Sequence, residues 1–280
     1  MLSPSQPEGG TTMRPCILAL SLLALIGAPR AEAANNAVAI IWKGAKTQAE
    51  AEAQKPAWSD LNTALGKAGL TFRDGYPKLV ESKTLPGLKP GFWVWLLGVC
   101  APDDAPPIVD QIKLLSPETY SREVKVSPKQ RSCPRQEDEA LGSRDETLAL
   151  RSGATLRVFT HAESENVAEH EERWDYSTRT RYLFVLFGKS GEVLGSADAV
   201  GDEVVNKSGG GGATYYRCDG TQLEKSAADT FVLTRHCDAG GAAECGSVAS
   251  ADEFVTVKVN SSAVFASAPQ RIHIQRAECD

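Results

Sequence analysis

Phe92-Trp93-Val94-Trp95-Leu96-Leu97-Gly98-Val99 is an apolar run of eight residues, preceded by Thr84-Leu85-Pro86-Gly87-Leu88-Lys89-Pro90-Gly91, which carries turn chemistry twice over. A run of that length without a polar break reads as a central strand. Upstream, Val38-Ala39-Ile40-Ile41-Trp42 reads as a short buried strand. Thr47 to Gly69 reads as a helix with Trp58, Leu61 and Leu65 on one face, divided at Pro56 and stopped at Gly69. Tyr76 to Ser82 supplies another strand. Downstream, Asp103-Asp104 cap a second helix with Pro106 and Pro107 in its first turn, and Ser121 to Ser127 alternates as a fourth strand. The order is βαββαβ. Ile40-Ile41-Trp42-Lys43-Gly44 before the first helix recurs as Val94-Trp95-Leu96-Leu97-Gly98 before the second, so two halves build a split sheet with helices on one face.

Residues 128–147 hold prolines, many charges and few apolar groups, including Gln136-Glu137-Asp138-Glu139, and read as a linker. From Leu148 onward the pattern is strands. Leu156 to Thr160 alternates, and Arg179 to Phe187 and Glu192 to Ala197 flank the hairpin turn Gly188-Lys189-Ser190-Gly191. Asp229 to Arg235, Phe254 to Asn260 and Arg271 to Arg276 add three more, with Glu163 to Glu172 the one candidate helix. The fold class is therefore α+β: a βαββαβ domain over 37–127, a linker, and an antiparallel sandwich or small barrel over 148–280.

Met13-Arg14-Pro15, the thirteen-residue run Cys16 to Ala28 and Ala31-Glu32-Ala33 have the layout of a secretory signal over residues 1–33. A bilayer-spanning helix needs about 20 apolar residues, so no membrane span is expected. Export places the protein in the periplasm or outside the cell. Six cysteines remain after Cys16, and an even count in an exported chain argues for disulfides. If each domain closes its own bridges, Cys100–Cys133 is forced and the other four have three options. Cys237 and Cys245 flank a small flexible loop and can meet across a hairpin mouth, which leaves Cys218–Cys279. A zinc site would want CxxC pairs or histidines at helical spacing, and the sequence has neither.

The net charge is −6, which argues against a sequence-blind grip on nucleic acid. Chemistry is harder to find. His170-Glu171-Glu172-Arg173-Trp174 begins like a zincin helix but has Trp174 where the second histidine must stand. The carboxylates Glu163, Glu165, Glu169, Glu171 and Glu172 lack the spacing of a calcium loop and read as a solvated face. Ser190, His236 and Asp238 show no hydrolase spacing, and Ser208-Gly209-Gly210-Gly211-Gly212 lacks the GK[ST] of a phosphate loop. Asp198, Asp202 and Glu203 around Gly201 read as a turn. No cofactor is expected. Trp93 and Trp95 alternate with Phe92, Val94 and Leu96, so both indoles point to one side of the sheet. With the helices packed on Val94 and Leu96, that side is either open for carbohydrate stacking or covered by the second domain.

Trp42-Lys43-Gly44-Ala45-Lys46-Thr47-Gln48-Ala49-Glu50-Ala51, an apolar strand, a Gly-small-x turn and an Ala-rich helix, resembles the first half of the SPOR (sporulation-related repeat) family of envelope domains. Leu97-Gly98-Val99-Cys100 matches the second turn at the glycine only. The resemblance covers residues 37–127. It implies an exported, non-catalytic envelope protein contacting peptidoglycan glycan strands on the open sheet face, with Trp93 and Trp95 as binding residues and the glycan or an envelope protein as partner. The alternatives are a secreted hydrolase with its site in the β domain, and a structural or partner-binding module.

Overall fold

The structure, a computed structural model, describes residues 35–136, 141–170, 173–209, 212–241 and 246–278. The stretch 1–33 expected to be a secretory signal, Glu137 to Glu139, Glu171-Glu172, Gly210-Gly211, Cys245 and Cys279 lie outside the described residues. The protein is mostly antiparallel β-sheet with few helices, arranged as a small N-terminal sheet and a large one.

The small sheet is built from β1 (Asn35–Ala45), β3 (Lys78–Glu81), β4 (Trp93–Cys100) and β5 (Tyr120–Val126) in the order β3-β4-β1-β5, with β2 (Leu70–Thr71) pairing separately with β6 (Arg135–Gln136). That is the strand order of a split βαββαβ sheet, with the two long apolar runs at its centre. Its helices are α1 (Gln48–Glu52), α2 (Trp58–Lys67) and α3 (Ala105–Leu115). Thr47 opens α1 with a capping box closed by Glu50. Pro56 falls in a short 3-10 turn between α1 and α2, where its missing N–H costs least.

β7 (Gly142–Ala149), β8 (Thr155–His170), β9 (Arg173–Phe187), β10 (Val193–Gly209), β11 (Gly212–Ala227), β12 (Thr230–Gly241), β13 (Val248–Val259) and β14 (Val264–Ala266) form the large sheet in chain order. The last strand, β15 (Gln270–Arg276), pairs with β13. Three long hairpins thus stand side by side. The stretch read as a candidate helix, Glu163 to Glu172, is strand as far as His170, because its register partners on β9 continue the ladder. The expected linker contains β6 and most of β7.

Three cores follow from this layout. In the first, Ile40, Trp42, Trp95 and Leu97 of the small sheet meet Trp58, Leu61, Leu65, Ile108 and Ile112 of the helices, which in turn meet Phe159, Leu183, Val185 and Phe187 of the large sheet. The helices are the middle layer and bury apolar groups on both sides. Trp58 sits between Trp42 and Phe72, with ring centroids 5.2 and 5.3 Å away. Lys67 at the end of α2 ties this layer to β10 through Asp198 at 3.0 Å and the Ser196 carbonyl at 3.0 Å. The second core joins Leu156, Phe184 and Leu186 to Phe231, Leu233, Val255, Val257 and Val264, so the large sheet folds back over itself. The third lies on the other side of the small sheet.

That third core corrects the expected orientation of the central strand. Val94 and Leu96 face away from the helices, and Trp95 and Leu97 face toward them. The outer side is not open either: Tyr76, Val80, Leu85, Leu88, Phe92 and Tyr120 pack over it. The covering loop is held down by the Lys125 amide, which donates to the Pro86 carbonyl at 2.8 Å. Gly87 makes this possible. At φ 114° a Cβ there would come 2.5 Å from the Glu123 carbonyl oxygen, so only glycine lets the loop lie so close to β5.

Candidate functional site

Directly opposed residues of antiparallel strands send their side chains to the same side. In the upper parts of β9 to β13 this rule sorts the large sheet into two different surfaces. One side carries Arg179, Glu203, Cys218, Cys237 and Ala251 in register, then Arg235 opposite Glu253. Cys218 and Cys237 are disulfide-bonded here. Glu253 is buried and accepts hydrogen bonds from Arg235 at 2.6 and 3.0 Å, Arg271 at 2.7 Å and the Tyr216 hydroxyl at 2.8 Å. Burial alone would raise its pKa, but these donors outweigh it and hold the carboxyl below its ordinary value. This side is a structural brace.

The other side faces solvent and is the candidate site. One row, toward the hairpin ends, is Tyr176, Asn206, Tyr215 and Gly240, mutual register partners on β9, β10, β11 and β12. Tyr176 is 40% exposed and Tyr215 48%. The next row holds Thr178, Val204, Arg217, Asp238 and Ser250. The third holds Asp219, His236 and Asp252, with Arg217 and Asp219 paired at 2.8 Å. Asp252 takes His236 Nδ1 and His273 Nδ1, each at 2.7 Å, and His236 Nε2 is 3.4 Å from Asp238. The hydrogen bond to Asp252 raises the His236 pKa, with Asp238 adding to it; both histidines lower that of Asp252. Below this row a cavity of about 550 Å³ is lined by Gln222, Val232, Thr234, Phe254 and Ile272.

The residues singled out from sequence fall in varied places. Trp95 is buried on the helix side, and its Nε1 donates to the Ala51 carbonyl at 2.7 Å. Of the two alternatives for the Trp93 and Trp95 side, open or covered, Trp95 is covered, by the helices, and offers no stacking face; Trp93 itself is half-buried. Cys100–Cys133 forms as expected. Cys237 bonds Cys218, not Cys245, which corrects both remaining pairings, because Cys218 and Cys237 are direct cross-strand partners. Glu163 pairs with Arg181, which also holds Asp198 at 2.9 Å. Asp198 and Glu203 flank a bulge inside β10 rather than a turn, and Glu203 pairs with Arg179 at 2.6 Å. Asp202 accepts from the Thr221 hydroxyl at 2.7 Å. Ser190 turns its hydroxyl to Glu192 in the β9–β10 turn and stands on a different element from His236. Cys218, Cys237 and Glu253 bring ligand-type atoms within 4.8 Å of one another, but the sulfurs are spent on each other.

Sequence reasoning missed Tyr176, Asn206 and Tyr215. The alternation around each was visible, but the register that aligns them was not. In comparisons with known proteins, no family model, no curated sequence and no solved structure matches this chain. Fold and site together define a disulfide-stapled, largely antiparallel β protein with one braced and one solvent-facing sheet surface. Among the described residues no helix is long and apolar enough to cross a membrane.

Proposed function

We propose that the protein is exported to the bacterial envelope and works there as a non-catalytic binding protein, holding peptidoglycan glycan or an envelope protein. The observation that carries the reading is the solvent-facing side of the large sheet. There, rings, an amide, a guanidinium and carboxylates stand in register on a surface braced from behind by Cys218–Cys237 and the buried Glu253. Such rigid presentation suits recognition, since little freedom is lost on binding. The two disulfides and the apolar leader at 16–28 support an oxidising compartment. The SPOR likeness of residues 37–127 supports the envelope assignment. The contact surface is assigned to the large sheet because the small sheet is covered on both sides.

The test is co-sedimentation of oxidised mature protein with purified peptidoglycan sacculi, with envelope extracts cross-linked in parallel. Specific retention on either supports the reading. Failure of both, or release of soluble sugar or peptide fragments from sacculi, overturns it.

A further inference from the structure

We propose that Tyr176, Asn206 and Tyr215 form a stacking platform for a β-1,4-linked amino-sugar chain laid across β9, β10 and β11. The proposal deepens the binding-protein reading and rests on it for compartment only.

The first argument is the placement of the rings. Of the residues whose side chains the structure describes, five large apolar or aromatic ones are exposed, and two of them, Tyr176 and Tyr215, stand in the same register row with Asn206 between. One intervening strand separates them, which sets their Cα atoms roughly 9–10 Å apart. In an extended β-1,4-linked chain a sugar and its next-but-one neighbour lie about as far apart as these two strands. Two rings on alternate strands can therefore stack on alternate sugars, with the middle sugar over Asn206, whose amide both donates and accepts.

The second argument is the attitude of Tyr215. Its register partner is Gly240, and a Cβ at that position would come 2.5 Å from both Cε1 and the hydroxyl oxygen of the ring. The hydroxyl end of the ring therefore reaches over the β12 backbone at Gly240, while the residue as a whole stays 48% exposed. Tyrosine suits this role: it has few rotatable bonds to immobilise, a broad apolar face for sugar C–H groups and a hydroxyl at its edge.

The third argument is charge. One register step below the rings stand Thr178, Arg217 and Asp238, and a further step adds Asp219, His236 and Asp252. These groups can hydrogen-bond sugar hydroxyls and acetamido groups. Carboxylates outnumber guanidiniums there, which disfavours an anionic polymer or lipid headgroup and is compatible with a neutral glycan.

The experiment is titration of oxidised mature protein with chitohexaose, a soluble β-1,4-linked N-acetylglucosamine oligomer, followed by tyrosine fluorescence and amide chemical shifts. Saturable binding is expected, with shifts at Tyr215 and Gly240. Tyr176→Ala and Tyr215→Ala should each weaken it about tenfold, whereas Tyr→Phe at either position should change it less than about threefold. Gly240→Ala, which touches no ligand, should weaken binding by lifting the Tyr215 ring; unchanged Tyr176→Phe and Tyr215→Phe melting curves guard against a folding artefact. Wild-type protein that does not titrate at millimolar chitohexaose, or alanine variants that titrate as wild type, overturns the platform. Sacculus retention without oligosaccharide binding sinks the platform and leaves the envelope reading intact. Oligosaccharide binding without sacculus retention supports the platform and counts against peptidoglycan as the partner.

Discussion

Cys218 on β11 and Cys237 on β12 face each other as direct cross-strand partners, and their bond fastens the braced side of the large sheet at mid-height. Non-reducing peptide mapping should therefore recover Cys218–Cys237 together with Cys100–Cys133. The Cys218→Ser, Cys237→Ser double variant should lose about 3 kcal/mol by denaturant unfolding, the chain-entropy value for a loop closed over a sequence separation of 19 residues. A mapped Cys237–Cys245 peptide would contradict the strand register itself.

The two cysteines left over are Cys245 and Cys279, and the described residues beside them are paired. The Gly246 amide donates to the Ala277 carbonyl at 3.0 Å, and the Ala277 amide to the Ser247 carbonyl at 2.9 Å. A third disulfide, Cys245–Cys279, is the expected outcome, with no free thiol in denatured mature protein. A thiol assay finding two reactive groups per chain would refute it.

Glu253 should be the most sensitive carboxylate. Glu253→Gln leaves Arg235, itself 9% exposed, with only the more distant Glu203 carboxylate at 3.5 Å, and since breaking a buried pair outright costs about 3–5 kcal/mol, the loss should approach the lower end of that range. Its folded pKa lies below the ordinary value, so its contribution is present above about pH 4.5 and is lost as pH falls through the folded value. Acid unfolding of the wild type should be steeper than that of Glu253→Gln, measured by circular dichroism against pH.

The His236–Asp252–His273 cluster carries the opposite dependence on its basic side. His236 has a raised folded pKa, so its stabilising effect is full below about pH 6.5 and fades as pH rises through the folded value. Asp252, lowered from 3.8, loses its share only in acid. The difference in melting temperature between wild type and His236→Gln should be greatest just below about pH 6.5 and shrink as pH rises through the folded value. A difference that is flat across that range would mean the cluster does not hold β15 to β13.

Trp95 separates core from recognition. Trp95→Phe removes the donor to the Ala51 carbonyl and should cost about 1–3 kcal/mol, and Trp95→Ala about 3–5 kcal/mol. Both should leave ligand titration unchanged while folded. Loss of binding in a Trp95→Phe protein of normal melting temperature would return the small sheet to candidacy.

Strand order in the first part was legible because each apolar run announced itself locally: Phe92 to Val99 had no polar break, and Pro56 and Gly69 punctuated the helix. Orientation was not. Trp95 and Val94 are both apolar, so alternation alone could not say which one meets the helices. The answer came from the loop at 84–91, whose Leu85 and Leu88 cover Val94 and Leu96. The stretch from Glu163 to His170 misled for a related reason: a dense run of carboxylates fits a helix face or a strand flanked by arginines, and Arg179 and Arg181 decide between them from another strand.

By itself, then, the sequence determined the βαββαβ order of the first part, the mainly stranded character of the rest and the Cys100–Cys133 bridge, since propensity, turn residues and cysteine distribution act over short stretches of chain. Tertiary structure alone decided the Cys218–Cys237 pairing, the burial of Trp95 and the alignment of Tyr176, Asn206 and Tyr215. Each depends on register between strands, and a one-residue slip, invisible in composition or periodicity, would send every one of those side chains to the opposite side.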